Sequence, residues 1–324
     1  MKISAIRPDR ALPGGIVRIE LSGVETLGSL KVLVGGIEAD VLAASTRFLM
    51  IRIPETDSGE VEVILEQYVM ESDLEVGWLL ADHLHPVSNP VVDRRGNIYT
   101  TLSGARGEEV PFGVHLVTPD GHQEAFLGDI TNPTGLAIGP DDQLYISSRH
   151  TGTIYRSSFD KQLEKFAEGL GIASGLAFDS QGNLYVGDRS GPIYRIDPSG
   201  QVSGFCELEP SVSAFHLAID AEDHLYVTGP TLATQDCIYR IGRDGVPEVF
   251  FKGFGRPQGL AFSPSGVLLV TGSYRGRKGV YSIEAGKARL RVSAAMLVGM
   301  AFTPAYDLLY LADSESLFEI SYWE

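Results

Sequence analysis

Six positions next to a recurring apolar element carry side chains that could face one common site. The element reads Gly-Leu-Ala or a close variant and begins at residues 135, 175, 216, 259 and 299, with a weaker copy at residue 89. The residues just before it are Ser88, Thr134, Ser174, Phe215, Gln258 and Val298. None is a carboxylate, whereas calcium and magnesium need charged oxygen ligands. The set therefore predicts ligand contacts through hydroxyl and amide groups, with no metal ion and no cofactor.

His216 occupies a position that is glycine in four other copies of the element. A histidine there could act as a general base, because its ordinary pKa lies near neutral pH. It could then activate a hydroxyl nucleophile, with Ser174, Ser88 or Thr134 as the candidate. Alternatively, His216 simply fills space beside Phe215. The sequence leaves both interpretations open, since it shows no nucleophile elbow and no third orienting group.

Arginines are concentrated in segments that the repeat should place at one rim of the molecule. They are Arg106, Arg149, Arg189, Arg256, Arg275 and Arg277. Guanidinium groups bind carboxylates and phosphates through paired hydrogen bonds. We expect these arginines to converge on a small anionic molecule or on a segment of a partner protein. The alternative is ordinary surface charge that acidic neighbours such as Asp188, Asp236 and Glu315 balance.

The recurring element belongs to a longer repeat whose copies follow one another at intervals of 40 to 46 residues. Each copy contains three short strand patterns separated by turn residues, as in residues 175–197. A more polar fourth strand lies between copies, as in residues 161–168. Four short strands at this period are typical of a propeller blade. We therefore predict an all-β chain with a six-bladed β-propeller, in which residues 78–84 supply the missing fourth strand of the last blade and close the ring.

Several of these segments resemble known families. Residues 132–137 (NPTGLA), 256–261 (RPQGLA) and 182–188 (GNLYVGD) resemble the NHL repeat. Residues 77–324 are similar to the six-bladed SMP-30/gluconolactonase family. This resemblance implies a lactonase-type hydrolase or a lyase acting at the mouth of a central channel, where Glu, Asn and Asp hold a divalent cation. The chain departs from that pattern, because Ser88-Asn89-Pro90 stands where such members have Glu-x-Pro.

Residues 1–68 lack the repeat and predict a separate small β-sandwich. Alternating apolar patterns at 16–21, 30–34, 48–53 and 60–65 indicate its strands. Residues 12–19 (LPGGIVRI) and 33–39 (LVGGIEA) resemble the IPT/TIG immunoglobulin-like family, whose domains usually serve as spacers or as interaction modules. This resemblance implies a protein partner for the domain. The polar residues 69–76 are predicted to be a linker, so that the propeller occupies residues 77–324.

The composition limits the classes of partner. The formal net charge is −16, from 26 Lys and Arg against 42 Asp and Glu. Such an acidic chain is unsuited to nucleic acid and to anionic membranes. Cys206 and Cys237 lie in different predicted blades and are expected to be free thiols. The sequence shows no secretory signal and no run of 18 apolar residues, so we expect a cytoplasmic protein.

The function that these observations favour is ligand or partner binding at the arginine-bearing rim. The predicted binding residues are Arg149, Arg189, Arg256, Arg275, Ser88, Thr134 and Gln258. The rival interpretation is an enzyme, a lactonase-type hydrolase or a lyase, working at the channel mouth. Its predicted catalytic residues are His216 and Ser174.

Overall fold

A computed structural model describes residues 2–23, 25, 31–65, 68–104 and 107–322. These residues form β-strands joined by turns and loops, which confirms the all-β prediction. No helix within these ranges is long and apolar enough to cross a membrane. Arg106, one of the predicted rim arginines, lies outside the described residues.

The N-terminal part of the chain forms two packed sheets. The first sheet, in the order β1-β3-β7-β6, contains β1 (Lys2–Arg7), β3 (Ile16–Ser22), β6 (Asp40–Ser45) and β7 (Phe48–Arg52). The second, in the order β2-β9-β8-β4-β5, contains β2 (Arg10–Ala11), β4 (Val32–Val34), β5 (Ile37–Glu38), β8 (Gly59–Leu65) and β9 (Tyr68–Val76). Ile19 and Ile51 of the first sheet share one core with Val63 and Leu65 of the second. Alternate residues of these strands thus face inward, as a sandwich of two sheets requires.

The predicted linker at residues 69–76 is instead part of a strand. These residues lie within β9, which pairs antiparallel with β8 and parallel with β2. One of the acidic residues that favour a linker, Glu75, is buried in this strand and forms an ion pair with Arg10. Glu75 is 9% exposed, and its Oε2 lies 3.4 Å from Nε of Arg10, which is 3% exposed. A buried carboxylate of this kind needs a charged partner, and the sequence pattern did not indicate that Arg10 would supply it.

Six four-stranded blades follow, of which blades 4 and 5 are joined to each other and to the second N-terminal sheet in one 13-stranded sheet. Blade 1 contains β11 (Val91–Val92), β12 (Ile98–Thr101), β13 (Val114–Val117) and β14 (Gln123–Leu127). Blade 2 contains β15 (Pro133–Ile138), β16 (Leu144–Ser148), β17 (Thr153–Ser157) and β18 (Leu163–Ala167). Blade 3 contains β19 (Ala173–Phe178), β20 (Leu184–Asp188), β21 (Pro192–Ile196) and β22 (Val202–Glu207).

The second half of the ring repeats this plan. Blade 4 contains β23 (His216–Ile219), β24 (Leu225–Thr228), β25 (Asp236–Ile241) and β26 (Pro247–Gly255). Blade 5 contains β27 (Leu260–Phe262), β28 (Leu268–Tyr274), β29 (Arg277–Glu284) and β30 (Lys287–Ser293). Blade 6 contains β31 (Gly299–Phe302), β32 (Leu308–Ala312) and β33 (Leu317–Ser321). The two cysteines, in blades 3 and 4, are free thiols, as predicted.

The ring closes as the sequence predicts. Strand β10 (Trp78–Ala81) pairs antiparallel with β33 and becomes the outermost strand of blade 6. The first and last parts of the propeller are thereby joined in one sheet. Closure removes the open edge that an incomplete last blade would expose.

In blades 1, 3 and 4 the turn between the first and second strands is built on an aspartate. In blade 3, Asp179 Oδ1 accepts hydrogen bonds from the backbone N–H groups of Gln181 and Asn183, at 3.0 and 2.8 Å. Gly182 between them has φ of +81°, a conformation that glycine adopts without strain. Asp93 in blade 1 and Asp220 in blade 4 accept the same two bonds in their own turns. Each turn therefore fixes where its innermost strand ends.

The N-terminal sheets are fastened to the outer strand of blade 5. Ala11 of β2 pairs in parallel with Ser293 of β30. The hydroxyl of Ser293 accepts from the N–H of Ile16 and donates to its carbonyl, both at 2.8 Å. Glu75 Oε1 also accepts from the N–H of Ser321 in blade 6, at 2.8 Å. Because backbone and side-chain bonds join several strands, the two parts are held in one fixed arrangement.

Candidate functional site

The innermost strands of the blades begin around a cavity of about 390 Å³ at one end of the channel. Thr134, Ser174, Gln258 and Val298, four of the six residues that the repeat aligns, line this cavity, which we call the mouth cavity. They come together because each stands at or near the start of its blade's innermost strand. The other lining residues are Pro86, Val87, Arg149, Ile172, Arg189, Val212, Ser213, Ala214 and Ser314.

Two of the predicted arginines lie in the mouth cavity. Arg149 follows β16 of blade 2, and its Nη2 donates to the carbonyl of Gly104 at 3.0 Å. Arg189 follows β20 of blade 3, and its Nε donates to the carbonyl of Ser211 at 3.1 Å. These bonds orient both guanidinium groups toward neighbouring loops of the rim. The lining residues thus include two arginines and no carboxylate.

Two acidic residues of the rim, Asp188 and Asp236, form hydrogen bonds with the backbone. Asp188 is 3% exposed, and its Oδ1 accepts from the N–H groups of Ile172 and Ser190, at 3.0 and 2.9 Å. Asp236 is equally buried and accepts from the N–H groups of Thr231 and Arg256, at 2.9 and 3.1 Å. In the described part of the chain no carboxylate forms a salt bridge with Arg189. Among the described residues neither Asp188 nor Asp236 forms a salt bridge with a rim arginine, so direct pairing with these two carboxylates, the alternative interpretation of the rim, is not observed.

Arg256 and Arg275 do not line the mouth cavity. Arg256 lies beside a neighbouring cavity of about 270 Å³, which it shares with Gln258 and Lys278. Arg275 is exposed at the tip of the hairpin between β28 and β29, with its guanidinium carbon 5.2 Å from the centre of the Tyr274 ring. These strands contain 7 and 8 residues, against 5 each in blade 3. The longer hairpin carries Arg275 away, so the expected convergence of the rim arginines holds for Arg149 and Arg189 but not for Arg256 or Arg275.

Phe215 does not face the channel either. It is 3% exposed and belongs to the core that Leu217 and Val227 share. Its ring fills the space beside Gly229, where an added Cβ would lie 2.5 Å from the ring. Ser213 and Ala214 take the corresponding place at the mouth cavity. The alignment predicted the position in the strand but not the direction of this side chain.

The two serines proposed as nucleophiles are engaged in bonds between blades. The hydroxyl of Ser88 donates to the carbonyl of Thr134 at 2.6 Å. The hydroxyl of Ser174 donates to the carbonyl of Gly187 at 2.8 Å and accepts from the N–H of Phe215 at 3.1 Å. Both serines are buried. Within the described residues no hydrogen bond joins either hydroxyl to His216, so the geometry does not form a serine–histidine pair.

A second cavity, of about 160 Å³, lies one residue deeper along the same strands, and we call it the inner cavity. His216 lines it and is 2% exposed. Burial lowers the pKa of its imidazole to about 4, so the ring is neutral at pH 7. Its Nε2 has no hydrogen-bond partner among the described residues. A neutral imidazole beside a cavity can exchange a hydrogen bond or a proton with a molecule that enters.

Glycines allow the backbones of neighbouring blades to approach closely beside the inner cavity. A Cβ on Gly135 would lie 2.1 Å from the carbonyl oxygen of Ser174, and one on Gly175 would lie 2.4 Å from that of Phe215. Asn89 takes the same position in blade 1, where its Nδ2 donates to the carbonyl of Leu260 at 2.8 Å. Asn89 and His216 belong to blades on opposite sides of a six-membered ring. The sequence indicates His216 as a candidate at this position. Asn89 occupies the equivalent position in the weak first copy of the repeat, and both residues line the inner cavity.

The residues that line the two cavities do not fit a divalent cation. They include hydroxyls, amides and one histidine, but no carboxylate, and hard cations require charged oxygen ligands. One group with the right side chains lies elsewhere among the described residues, in the turn between β23 and β24: Asp220, Glu222 and His224. Asp220 there accepts two backbone N–H groups, as Asp179 does in blade 3. The structure of the turn accounts for this group without a metal ion.

Comparison with protein families gives one match that covers most of the chain. Residues 32–231 match the SMP-30/Gluconolactonase/LRE-like region. A gluconolactonase from Zymomonas mobilis is 31% identical over 115 residues, which are 30% of this chain and 32% of that protein. The match thus spans about a third of the length of this curated relative.

Solved structures share the fold at low sequence identity. An auxiliary nutrient binding protein from Bacteroides ovatus has a TM-score of 0.57 and 14% identity, covering 99% of this chain and 98% of that one. A gluconolactonase from Xanthomonas campestris has a TM-score of 0.60 and 17% identity, covering 75% and 88%. A catalytically inactive virginiamycin B lyase variant from Staphylococcus aureus has a TM-score of 0.55 and 14% identity, covering 95% and 99%. These likenesses show the propeller fold alone.

Proposed function

We propose that this chain, which belongs to the SMP-30/gluconolactonase/LRE-like family, binds a small polyhydroxylated acid or its lactone in the mouth cavity. The observation that carries the proposal is the lining of that cavity, which combines Arg149 and Arg189 with uncharged polar groups and no carboxylate. Binding needs no divalent cation, because the lining offers no charged oxygen to hold one.

The chemistry of the lining suits such a ligand. A guanidinium group binds a carboxylate with two parallel hydrogen bonds, and two of them stand on neighbouring blades. The side chains of Thr134, Ser213 and Gln258 offer donors and acceptors for hydroxyl groups. A cavity of about 390 Å³ falls within the usual range for small-molecule sites. The gluconolactonases among the relatives act, by their names, on a lactone of this class.

Isothermal titration calorimetry with gluconate tests the proposal. We expect Arg189→Gln to weaken binding at least about tenfold, because a charge-assisted hydrogen bond is worth about 1.5–3 kcal/mol. Arg275→Gln is the matched control, since it removes the same charge from an exposed arginine outside the mouth cavity. It should leave the affinity within about twofold. Added chelator should change neither value.

Equal weakening by the two substitutions would show that gluconate responds only to the overall charge, and would overturn the proposal. So would binding by the parent that depends on calcium. A titration at higher salt provides a further check. Because exposed charges are screened beyond about 8 Å at physiological ionic strength, affinity should fall as salt rises.

A second candidate function is hydrolysis or elimination at the channel, with His216 as the proton acceptor. The neutral imidazole, whose Nε2 has no partner among the described residues, supports it. The rate at which gluconolactone opens, measured in the presence of a chelator, tests this candidate. If His216 acts, His216→Gln should lower the rate while gluconate binding persists. An unchanged rate would leave binding as the function.

The remaining expectations concern partners and location. We propose that the N-terminal sheets, whose residues resemble the IPT/TIG family, act as a fixed interaction module for a protein partner. The net charge of −16 supports a protein that binds neither nucleic acid nor anionic membranes. We also retain the cytoplasmic location as a proposal. A pull-down with residues 1–76 deleted, compared with the full chain, would test the partner.

A further inference from the structure

A groove of about 700 Å³ runs between the N-terminal sheets and blade 5. On one side lies the turn between β1 and β2, and on the other lies β30. The lining residues are Arg7, Pro8, Asp9, Arg10, Arg277, Arg289, Leu290 and Arg291. Five arginines and one aspartate thus share one groove, which we call the arginine groove. Such a concentration is unexpected in a chain with a net charge of −16.

The floor of the arginine groove is built from buried or half-buried arginines that the fold orients. Arg277 Nη2 donates to the carbonyls of Arg7 and Ile16, at 3.1 and 3.0 Å. These bonds join blade 5 to the N-terminal sheets. Arg10 is 3% exposed and forms an ion pair with Glu75 at 3.4 Å. The positions of both guanidinium groups are therefore fixed before any ligand arrives.

The positive charge of the groove exceeds the negative charge beside it. Asp9 lines the groove, and Glu75 pairs with Arg10. Within the described ranges the side chains of Arg7 and Arg289 form no salt bridge, and both are exposed. Burial lowers the pKa of Arg10, the carboxylates of Asp9 and Glu75 oppose this shift, and the charge of Arg291 adds to it. Like charges held this close repel one another and favour a bound anion.

We propose that the arginine groove binds a small molecule carrying two or more phosphate groups. Several guanidinium forks converging from two walls match closely spaced phosphates, which each accept paired hydrogen bonds. An acidic peptide fits less well, because only Pro8 and Leu290 offer apolar contact along the groove. Nucleic acid fits less well still, because a long polyanion would extend over a surface of net negative charge. Since the groove has one wall from each part of the chain, the bound phosphates hold the two parts together.

Inorganic tripolyphosphate is the probe, and Arg189→Gln is the background that removes the mouth cavity from the measurement. We expect calorimetry to show one site, and thermal unfolding to shift upward with tripolyphosphate concentration. Adding Arg7→Gln and Arg289→Gln should weaken binding at least about tenfold, because charged hydrogen bonds are lost. Both residues are exposed, so this variant should fold.

The matched control adds Arg47→Gln and Arg52→Gln to the same background. These exposed arginines of the N-terminal sheets do not line the groove, and the change in net charge is identical. The control should bind tripolyphosphate as the background does. Equal weakening in the control, or undiminished binding by the groove variant, would overturn the proposal. Tighter binding of hexaglutamate than of tripolyphosphate would also overturn it, in favour of an acidic peptide.

Discussion

Two adjacent levels of the channel use the same six strands in different ways. The inner ring consists of Asn89, Gly135, Gly175, His216, Gly259 and Gly299. The mouth ring, one residue earlier in each blade, consists of Ser88, Thr134, Ser174, Phe215, Gln258 and Val298. In the inner ring four glycines let neighbouring backbones approach so closely that a Cβ would collide with them. In the mouth ring the residue types vary, and four of them face one cavity.

This difference shows where along a propeller strand chemistry can be placed. Packing determines the residue type at the inner ring, so most positions there have no freedom to carry a functional group. One residue earlier, at the mouth ring, four side chains line the mouth cavity, and three of them are polar. His216 is the exception, because it brings a titratable group into the tightly packed level. Substitutions at each level should therefore have separable effects on stability and on binding.

The largest expected effect comes from Gly175→Ala in the inner ring. The new Cβ would lie 2.4 Å from the carbonyl oxygen of Phe215, which cannot move without shifting blade 4. We expect a loss of about 2–3 kcal/mol in the free energy of unfolding, since overpacking a rigid site has costs of this size. Urea denaturation followed by fluorescence measures it.

Gly204→Ala is the control for this substitution. Gly204 lies in β22 of the same blade, and an added Cβ there meets no atom within 4 Å. The change should leave stability within about 0.5 kcal/mol, as is usual for surface positions. Similar losses for both substitutions would mean that glycine is favoured at Gly175 for a reason other than the close approach of blades.

The next effect is a pH dependence that His216 contributes. Its pKa is about 4 in the folded chain, against 6.5 for an ordinary histidine. The unfolded chain therefore takes up the proton first. The stability from the neutral ring is complete above pH 6.5 and is lost as the pH falls from 6.5 toward 4. The residues that line the inner cavity include no other titratable side chain, so the effect belongs to this ring.

Urea denaturation at pH 7 and pH 5 checks this expectation. Between these pH values the parent should lose about 2 kcal/mol more stability than His216→Gln does, because each pKa unit corresponds to about 1.4 kcal/mol. Any pH-independent cost of the substitution cancels in this difference. Parallel behaviour of the two proteins would show that the ring is hydrated or partnered in solution.

Repetition explains how much of this fold the sequence could predict. The period of the element predicts all six blades. Because no fourth strand follows β33 in the last blade, the sequence also predicts that the segment containing β10 completes it. The same alignment located Thr134, Ser174 and Gln258 at one cavity, because equivalent positions in a ring must lie side by side. No comparable repeat exists in the first 76 residues, where the acidic residues around Glu75 predict a linker although they belong to strand β9.

The predictions that are wrong or missing concern two features: the direction in which individual side chains point, and contacts between residues that are far apart in the sequence. Phe215 turns into the core because Gly229 leaves space for its ring, which no local pattern reveals. Arg275 is carried away by a longer hairpin in blade 5. The arginine groove brings residues 7–10 beside residues 289–291. Such a site requires knowledge of how two parts of the chain dock, so periodicity could not indicate it.

The smallest of these stability effects should come from the mouth ring, through Ser88→Ala. The substitution removes a buried hydroxyl that donates to the carbonyl of Thr134 at 2.6 Å. We expect a loss of about 1 kcal/mol, the usual net value of one such bond. Ser203→Ala is the control, because its exposed hydroxyl makes the same type of bond, to the carbonyl of Arg195 at 3.2 Å, and should matter less. Gluconate affinity should stay within about twofold of the parent, since Ser88 does not line the mouth cavity. A loss above about 2 kcal/mol would place Ser88 with the inner ring, as a residue on which the packing of blades 1 and 2 depends.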